Sequence, residues 1–366
     1  MSKPTIIAYY LPQFHPFPQN DEWWGKGFTE WTNVGKAKSL FPGHNQPRVP
    51  TELGYYDLRL PEVREQQAQM ARDAGVDGFC YWHYWFGGKG RQLLNEIIDD
   101  VHRTAKPDFP FCLGWANETW KAKQWNKDGS GDKILMEQRY DGVDDYRAHF
   151  DYVRELFKDS RYIRVDGKPF FLLYKPHLFD DVENFIKLWN QWAREEGISD
   201  GIYFVASIED QSEKEQWINK GFAAVTPLHL QRLRKDYLEK PYWMQFLIRK
   251  FYQFTKRPIC YDAKVVNDYI VDEAYDSGED VVPFLLPQWD HTPRSGARGY
   301  LVKGACPQLF QEQAERLLDL VSRKKNKLIL LKSWNEWAEG NYMEPDMTFG
   351  RGFIDALKSA VKKYVV

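Results

Sequence analysis

No apolar run in this sequence approaches the ~18 residues needed to span a bilayer. No charged and apolar leader opens it either: Lys3 alone precedes a short run that leads straight into Tyr9, Tyr10 and Pro12. A cytoplasmic protein is the default expectation. Cysteine is scarce. Cys80, Cys112, Cys260 and Cys306 form no C-x-x-C pair, which argues against a structural zinc site. Cys80 and Cys112 fall inside apolar runs and read as buried, reduced thiols. Net charge is nearly absent: the formal value is −2 over 366 residues, so there is no electrostatic case for nucleic acid. The chain lacks a Walker loop, H-E-x-x-H and G-x-S-x-G, and no G-x-G-x-x-G follows its first strand. These absences weigh against nucleotide, zincin and serine-hydrolase chemistry. No ligand spacing suggests a metal, and no cofactor is expected.

What is present in excess is aromatic. Phe, Trp and Tyr make up 16% of the chain, with 15 Trp. Short β-branched and aromatic runs alternate with amphipathic stretches. Strands are predicted at about 5–10, 77–83, 109–115, 169–174, 202–207, 223–227, 281–287 and 327–334. Helices are predicted at about 60–74, 91–104, 143–158, 181–196, 212–219, 264–275, 307–323 and 351–363, the first opened by Pro61 and closed by Gly75. The strands read as continuous apolar runs, as in a parallel sheet buried on both faces. Eight β–α units argue for an α/β fold closed as a (β/α)8 TIM barrel, with long βα loops and a helical insertion near 229–258. Residues 1–366 read as a single catalytic domain.

Substrate sites of such barrels lie at the carboxyl ends of the strands. Trp23, Trp24, Trp31, Trp82, Trp85, Trp115, Trp120, Trp125, Trp289, Trp334 and Trp337 all fall at predicted strand ends or in the loops that follow. Only Trp189, Trp192, Trp217 and Trp243 lie elsewhere. Flat aromatic faces stack on the C–H faces of sugar rings, while Asn, Asp, Glu, His and Arg read the hydroxyls. An oligosaccharide or polysaccharide substrate is the expectation.

The strongest constellation is SWNEWAEG at 333–340. A carboxylate pair is standard for glycoside cleavage, and Glu336 and Glu339 end the eighth strand. Their i,i+3 spacing brings them together only if the chain turns helically there. Trp334, Asn335 and Trp337 accompany them. The second constellation is GWANETW, where Asn117 and Glu118 follow the third strand between Trp115 and Trp120. Glu118 fits a general acid or a hydroxyl acceptor. The third is YYLPQFHP with GFTEWTNV: Tyr9, Tyr10, Gln13 and His15 as pocket floor, Glu30 and Trp31 reaching over it. His83 in YWHYWFGG, Tyr174 and Lys175 at the fourth strand end, and Trp289, Asp290, His291 and Arg294 in PQWDHTPR are further candidates. Each has a plain structural reading beside the functional one: core packing, a cap or a loop hydrogen bond.

The insertion is rich in Arg and Lys interleaved with aromatics, opposed only by Asp236 and Glu239. It reads first as a helical excursion packed on the barrel. The sharper reading is peripheral contact with a membrane or a lipid-linked glycan.

Taken together, YYLPQFHP, DEWWGKGFTEWTNV, DGFCYWHYWF, WANETW, QWDHTPR and WNEWAEG resemble the WbsX-like family, which is related to glycoside hydrolase family 99. The motifs run from residue 7 to about 346, nearly the whole chain. The resemblance implies a (β/α)8 barrel and a retaining, endo-α-mannosidase-like activity. It implies Glu336 as the base that deprotonates a sugar 2-hydroxyl, giving a 1,2-anhydro intermediate, and Glu339 as the general acid/base. Ala338 stands where family 99 has His. WbsX-like proteins are commonly labelled glycosyltransferases of lipopolysaccharide O-antigen or capsular polysaccharide synthesis, which is the alternative activity. A variant mechanism pairs Glu118 as acid with Glu336 as direct nucleophile. A non-catalytic glycan-binding barrel is the third reading, and the presence of both Glu336 and Glu339 argues against it.

Overall fold

The computed structural model describes residues 3–88, 90–122, 133–227 and 230–364. Trp125, His229 and the side chain of Asp236 lie outside the described residues. Eight strands form the frame: β1 (Thr5–Tyr10), β2 (Gly78–Trp85), β3 (Phe111–Trp115), β4 (Lys168–Leu173), β5 (Tyr203–Ser207), β6 (Ala224–Thr226), β7 (Phe284–Leu285) and β8 (Leu328–Leu331). All pair in parallel in the order β6-β5-β4-β3-β2-β1-β8-β7. The ring closes where Val225 of β6 bridges Val281, just ahead of β7. The Val225 N–H donates to Asp280 O at 2.9 Å and the Val282 N–H to Val225 O at 2.8 Å. The chain folds as the expected (β/α)8 barrel.

Helices cover the outside of the ring, returning the chain between successive parallel strands, and Gly352–Val361 follows the last of them. Pro61–Ala74 starts at its proline and ends at Gly75, which takes the left-handed conformation at φ 89°. Asn95–Thr104, Val143–Phe157, Val182–Glu195, Pro307–Ser322 and Gly352–Val361 follow the predicted positions within a few residues. Among the described residues, no helix is long and apolar enough to cross a membrane.

The loops at the carboxyl ends build the surroundings of the site. The first carries two short helices, Pro18–Trp24 and Glu30–Lys36. The third carries a hairpin of Trp120–Ala122 with Lys133–Met136. The insertion divides in two. Leu230–Leu233 and Lys235–Leu238 pack beside Ala263–Ile270, where buried Arg232 pairs with Asp276 at 3.0 Å. Tyr242–Thr255 has no buried residue among those described.

Candidate active site

A cavity of about 950 Å³ opens at the carboxyl ends of the strands. Glu336 and Glu339 line it together with Gln13, Glu30, Glu118, Trp120, Tyr174 and Arg294. These eight residues, all singled out from the sequence, therefore converge on one space. The turn that brings the pair together is real: Trp337–Glu339 forms a 3₁₀ turn directly after Glu336. In a 3₁₀ turn, side chains at i and i+3 eclipse one another, so both carboxylates face the same way.

Several ties fix this turn. The Asn335 side chain accepts from the Leu11 N–H at 2.7 Å and donates to Leu11 O at 3.0 Å, locking the last motif to the exit of β1. The Trp337 indole donates to Glu344 at 2.6 Å and stacks on Tyr342 at 3.8 Å. Gly340 sits at φ 58°, and a Cβ there would lie 2.7 Å from Asp290 Cβ and 2.8 Å from its N. Only glycine fits that contact. Asn335 and Trp337, like fully buried Trp334, thus hold the site from behind and do not line the cavity.

Strand alternation sorts the remaining candidates. Successive side chains on a strand point to opposite faces. On β2, Trp82 and Tyr84 point into the cavity, and His83 points outward against the helices. There its Nε2 lies 2.8 Å from His149 Nε2, and burial lowers its pKa to about 3. His83 is therefore neutral and packed. On β1, Tyr10 points outward and its hydroxyl donates to Gln67 of Pro61–Ala74 at 2.7 Å. Tyr9 points inward but lies under the cavity wall, stacked on Trp82 at 4.8 Å. Trp115 faces outward, its indole donating to Trp85 O at 2.9 Å. Gly114 beside it faces inward, and its missing side chain leaves room for the Trp82 ring.

Other candidates organise loops. Asn117 accepts from the Lys175 N–H at 2.7 Å and donates to Lys175 O at 2.8 Å, tying two loops together. Asp290 is fully buried and accepts from His44, Gln46 and twice from Thr292, so neither oxygen is left for a sugar hydroxyl. Burial opposes its charge, but those donors with Arg48 hold it down to about 2. Trp289 is buried against Tyr300. The Trp31 indole donates to Tyr56 O at 2.8 Å. His15 is buried beside Glu96, away from the cavity, and burial lowers its pKa to about 4.

Trp24 and Trp82, two of the tryptophans placed at strand ends from the sequence, extend the aromatic wall, and the structure adds Phe28 and Tyr84 to it. His291 of PQWDHTPR and Lys332, which the sequence reading missed, bring charge to the pair. Lys332 Nζ lies 3.8 Å from Glu336 and 5.0 Å from the Trp289 ring centre. Its signal in the sequence is a lysine closing the otherwise apolar run LILL.

The charges on the two glutamates are pushed apart. Arg294 is ion-paired to Glu339, and its other nitrogen lies 3.1 Å from Glu30. Burial opposes ionisation of Glu339, but Arg294, His291 and Lys332 outweigh it and hold the pKa at about 2. Burial and the neighbouring Glu339 charge raise Glu336, partly offset by Lys332, Arg294 and the Ser333 hydroxyl that donates to it at 2.9 Å. In the resting cavity Glu339 is the anion, and Glu336 is the carboxyl that keeps a proton more readily. Among the described residues no cluster of three or more His, Cys, Asp or Glu is placed to hold a metal ion.

A closed parallel barrel of this kind, with helices outside and its cavity among the βα loops, places the chain in the (β/α)8-barrel class. Within that class it belongs to the family described as glycosyltransferase WbsX, which it matches over residues 6–357, and so to a carbohydrate-active family. It is 34% identical over 375 residues to the protein WxcX of Xanthomonas campestris pv. campestris (strain B100), covering 98% of this chain and 50% of that protein. The chain spans about half the length of the curated relatives it matches. Among solved structures, a glycoside hydrolase-like protein superposes with a TM-score of 0.60 at 13% identity, covering 99% of this chain and 94% of the other. The GH99 endo-alpha-mannosidase from Bacteroides thetaiotaomicron gives 0.56 at 15% identity, covering 100% and 98%. At these identities the likeness is one of fold.

Proposed function

We propose that the barrel with its loops acts as one catalytic domain, a retaining glycoside hydrolase of endo-α-mannosidase type working on an oligosaccharide or polysaccharide. The observation that carries this reading is that Glu336 and Glu339 face the same aromatic-walled cavity with opposed pKa shifts. Two titratable groups pushed apart by their surroundings are the usual mark of an acid and a base. Trp82, Tyr84, Trp120 and Tyr174 offer flat faces for sugar rings. Gln13, Glu30, Glu118 and Arg294 supply polar groups for hydroxyls.

Arg294 sets the order of proton affinity in the pair. With its guanidinium on Glu339, that carboxyl is held ionised and Glu336 is the one with the higher affinity for a proton. A bound sugar that draws the guanidinium away lets Glu339 take the proton and frees Glu336 as base. That second arrangement is the one the family resemblance implies for attack by the 2-hydroxyl. Retention then follows from two successive inversions at the anomeric carbon: Glu336 takes the 2-hydroxyl proton while Glu339 protonates the leaving oxygen, and when water opens the 1,2-anhydro ring Glu339 takes a proton from that water while Glu336 returns its own to O2. Glu118 lines the same cavity and is the alternative acid.

The second reading is transfer to a sugar acceptor in surface-polysaccharide assembly, favoured by the description of the matching family. Both readings use the same pair and differ in what accepts the glycosyl group. A glycan-array screen followed by product analysis tests the proposal. New reducing ends in water support hydrolysis, and elongated products, or calorimetric binding of nucleoside diphosphates, support transfer. Binding without turnover, unaltered by Glu336→Gln, overturns both.

A further inference from the structure

The helix Tyr242–Thr255 lies in the connection that leaves the carboxyl end of β6, the end of the barrel at which the cavity opens. At 3.6 residues per turn, Tyr242, Trp243, Phe246, Leu247, Phe251 and Phe254 fall on one side of it. That side faces solvent: Tyr242 is 81% exposed, Trp243 60% and Phe254 89%. The opposite side, with Met244, Ile248 and Tyr252, is half-buried toward the protein. The usual amphipathic pattern is therefore inverted, with the larger apolar side chains outward. Such a face is unfavourable in water and marks an interaction surface.

Its charge identifies the partner. From Lys240 to Tyr261 there are five basic residues (Lys240, Arg249, Lys250, Lys256 and Arg257) and no acidic one. Lys250 stands within the aromatic side, its ammonium 5.5 Å from the Phe246 ring centre. Arg249, Lys256 and Arg257 are exposed around it. A second copy of the chain would set basic groups against basic groups across a symmetric contact. A bilayer carrying anionic headgroups satisfies both features: the aromatic and aliphatic side chains enter the acyl boundary, and the cations remain among the phosphates. Trp and Tyr favour that interfacial depth, and Lys and Arg extend their heads back to the headgroups.

We infer that Tyr242–Thr255 is an in-plane membrane-docking helix for anionic lipid surfaces. Behind it, Ile259–Asp262 pairs with Tyr300–Lys303, and Leu301 in turn bridges Asp290, close in sequence to His291 and Arg294. Docking thus holds the cavity end of the barrel beside the lipid surface, whichever glycosyl reaction the cavity performs.

Co-sedimentation of the whole chain with vesicles tests this. One set is phosphatidylcholine alone, and the other contains about 30% phosphatidylglycerol, each at about 0.1 M and about 0.5 M salt. Partition into the anionic vesicles at low salt is expected to be at least about tenfold stronger than into neutral ones, and to weaken at high salt. The combined Trp243→Ser, Phe246→Ser and Phe254→Ser variant is expected to lose at least about tenfold of that binding. Lys250→Glu with Arg257→Glu should remove the preference for anionic lipid. These side chains are exposed, so thermal melts of the variants should overlay the parent. No partition, partition independent of lipid charge and salt, or a serine variant that binds like the parent overturns the inference. So does a parent chain that sediments as a dimer without lipid while the serine variant is a monomer, because the face is then an interface between copies.

Discussion

Replacing Arg294 by Met removes the cation that separates the two glutamates while keeping a side chain of similar reach. Arg294 is ion-paired to Glu339 in a largely buried setting, with side-chain exposures of 25% and 16%. At an effective dielectric of about 20, unit charges about 4 Å apart attract by about 4 kcal/mol, which is about 3 pH units in a titration midpoint. Glu339, held at about 2 in the parent, should therefore titrate near pH 5 in the variant. The sign for stability follows. The ordinary glutamate value is 4.5, so the depressed carboxyl stabilises the parent above that pH and loses this stabilisation as pH falls toward 2. At pH 7 the variant should be about 4 kcal/mol less stable, in line with the cost of breaking one half of a buried pair. At pH 3 the deficit should shrink to about 1.5 kcal/mol. Denaturant unfolding at both pH values measures the two deficits, and carbon NMR of labelled glutamate, assigned with Glu339→Gln, measures the midpoint. A deficit equal at pH 3 and pH 7, or an unmoved Glu339 midpoint, refutes the electrostatic account and makes Arg294 a packing residue.

Three further perturbations follow from the same geometry. Glu336→Gln should lower turnover by about 10²–10⁴-fold while leaving the melting temperature equal or higher, because a buried carboxyl beside the Glu339 anion is relieved of repulsion; kinetics and a thermal melt read both. Trp337→Phe takes a charge-assisted donor from Glu344, whose pKa burial already raises to about 7, and should cost about 1.5–3 kcal/mol in denaturant unfolding. Gly340→Ala should cost about 2–4 kcal/mol by the same measurement, since a Cβ strains the left-handed backbone and meets the Asp290 main chain.

The barrel was legible because its strands are short apolar runs at regular spacing, and each maps onto one strand or bridge of the ring. The i,i+3 glutamates were legible as a pair conditional on a turn, and the 3₁₀ turn at Trp337–Glu339 supplies it. The facing of the aromatic motifs was not legible. In a strand buried on both sides, apolar residues alternate with apolar residues, so nothing in YWHYW marks Trp82 and Tyr84 as inward and His83 as outward. The same parity separates Tyr9 from Tyr10 and Gly114 from Trp115. Asp290 and Asn117 look like hydroxyl readers in sequence, and only the three-dimensional structure reveals the donors and acceptors that occupy them. The Trp enrichment at strand ends serves two purposes. Trp24, Trp82 and Trp120 wall the cavity, while Trp115, Trp334 and Trp337 are buried in the core and do not line it.

The most direct test of the central claim is the anomeric configuration of the first product, followed by NMR while the protein acts on α-mannan oligosaccharides in water. Parent protein should release product with the α configuration of the substrate, and Glu336→Gln and Glu339→Gln should each suppress that release. Release of the β anomer, or undiminished release by Glu336→Gln, would contradict a retaining reaction carried by this pair.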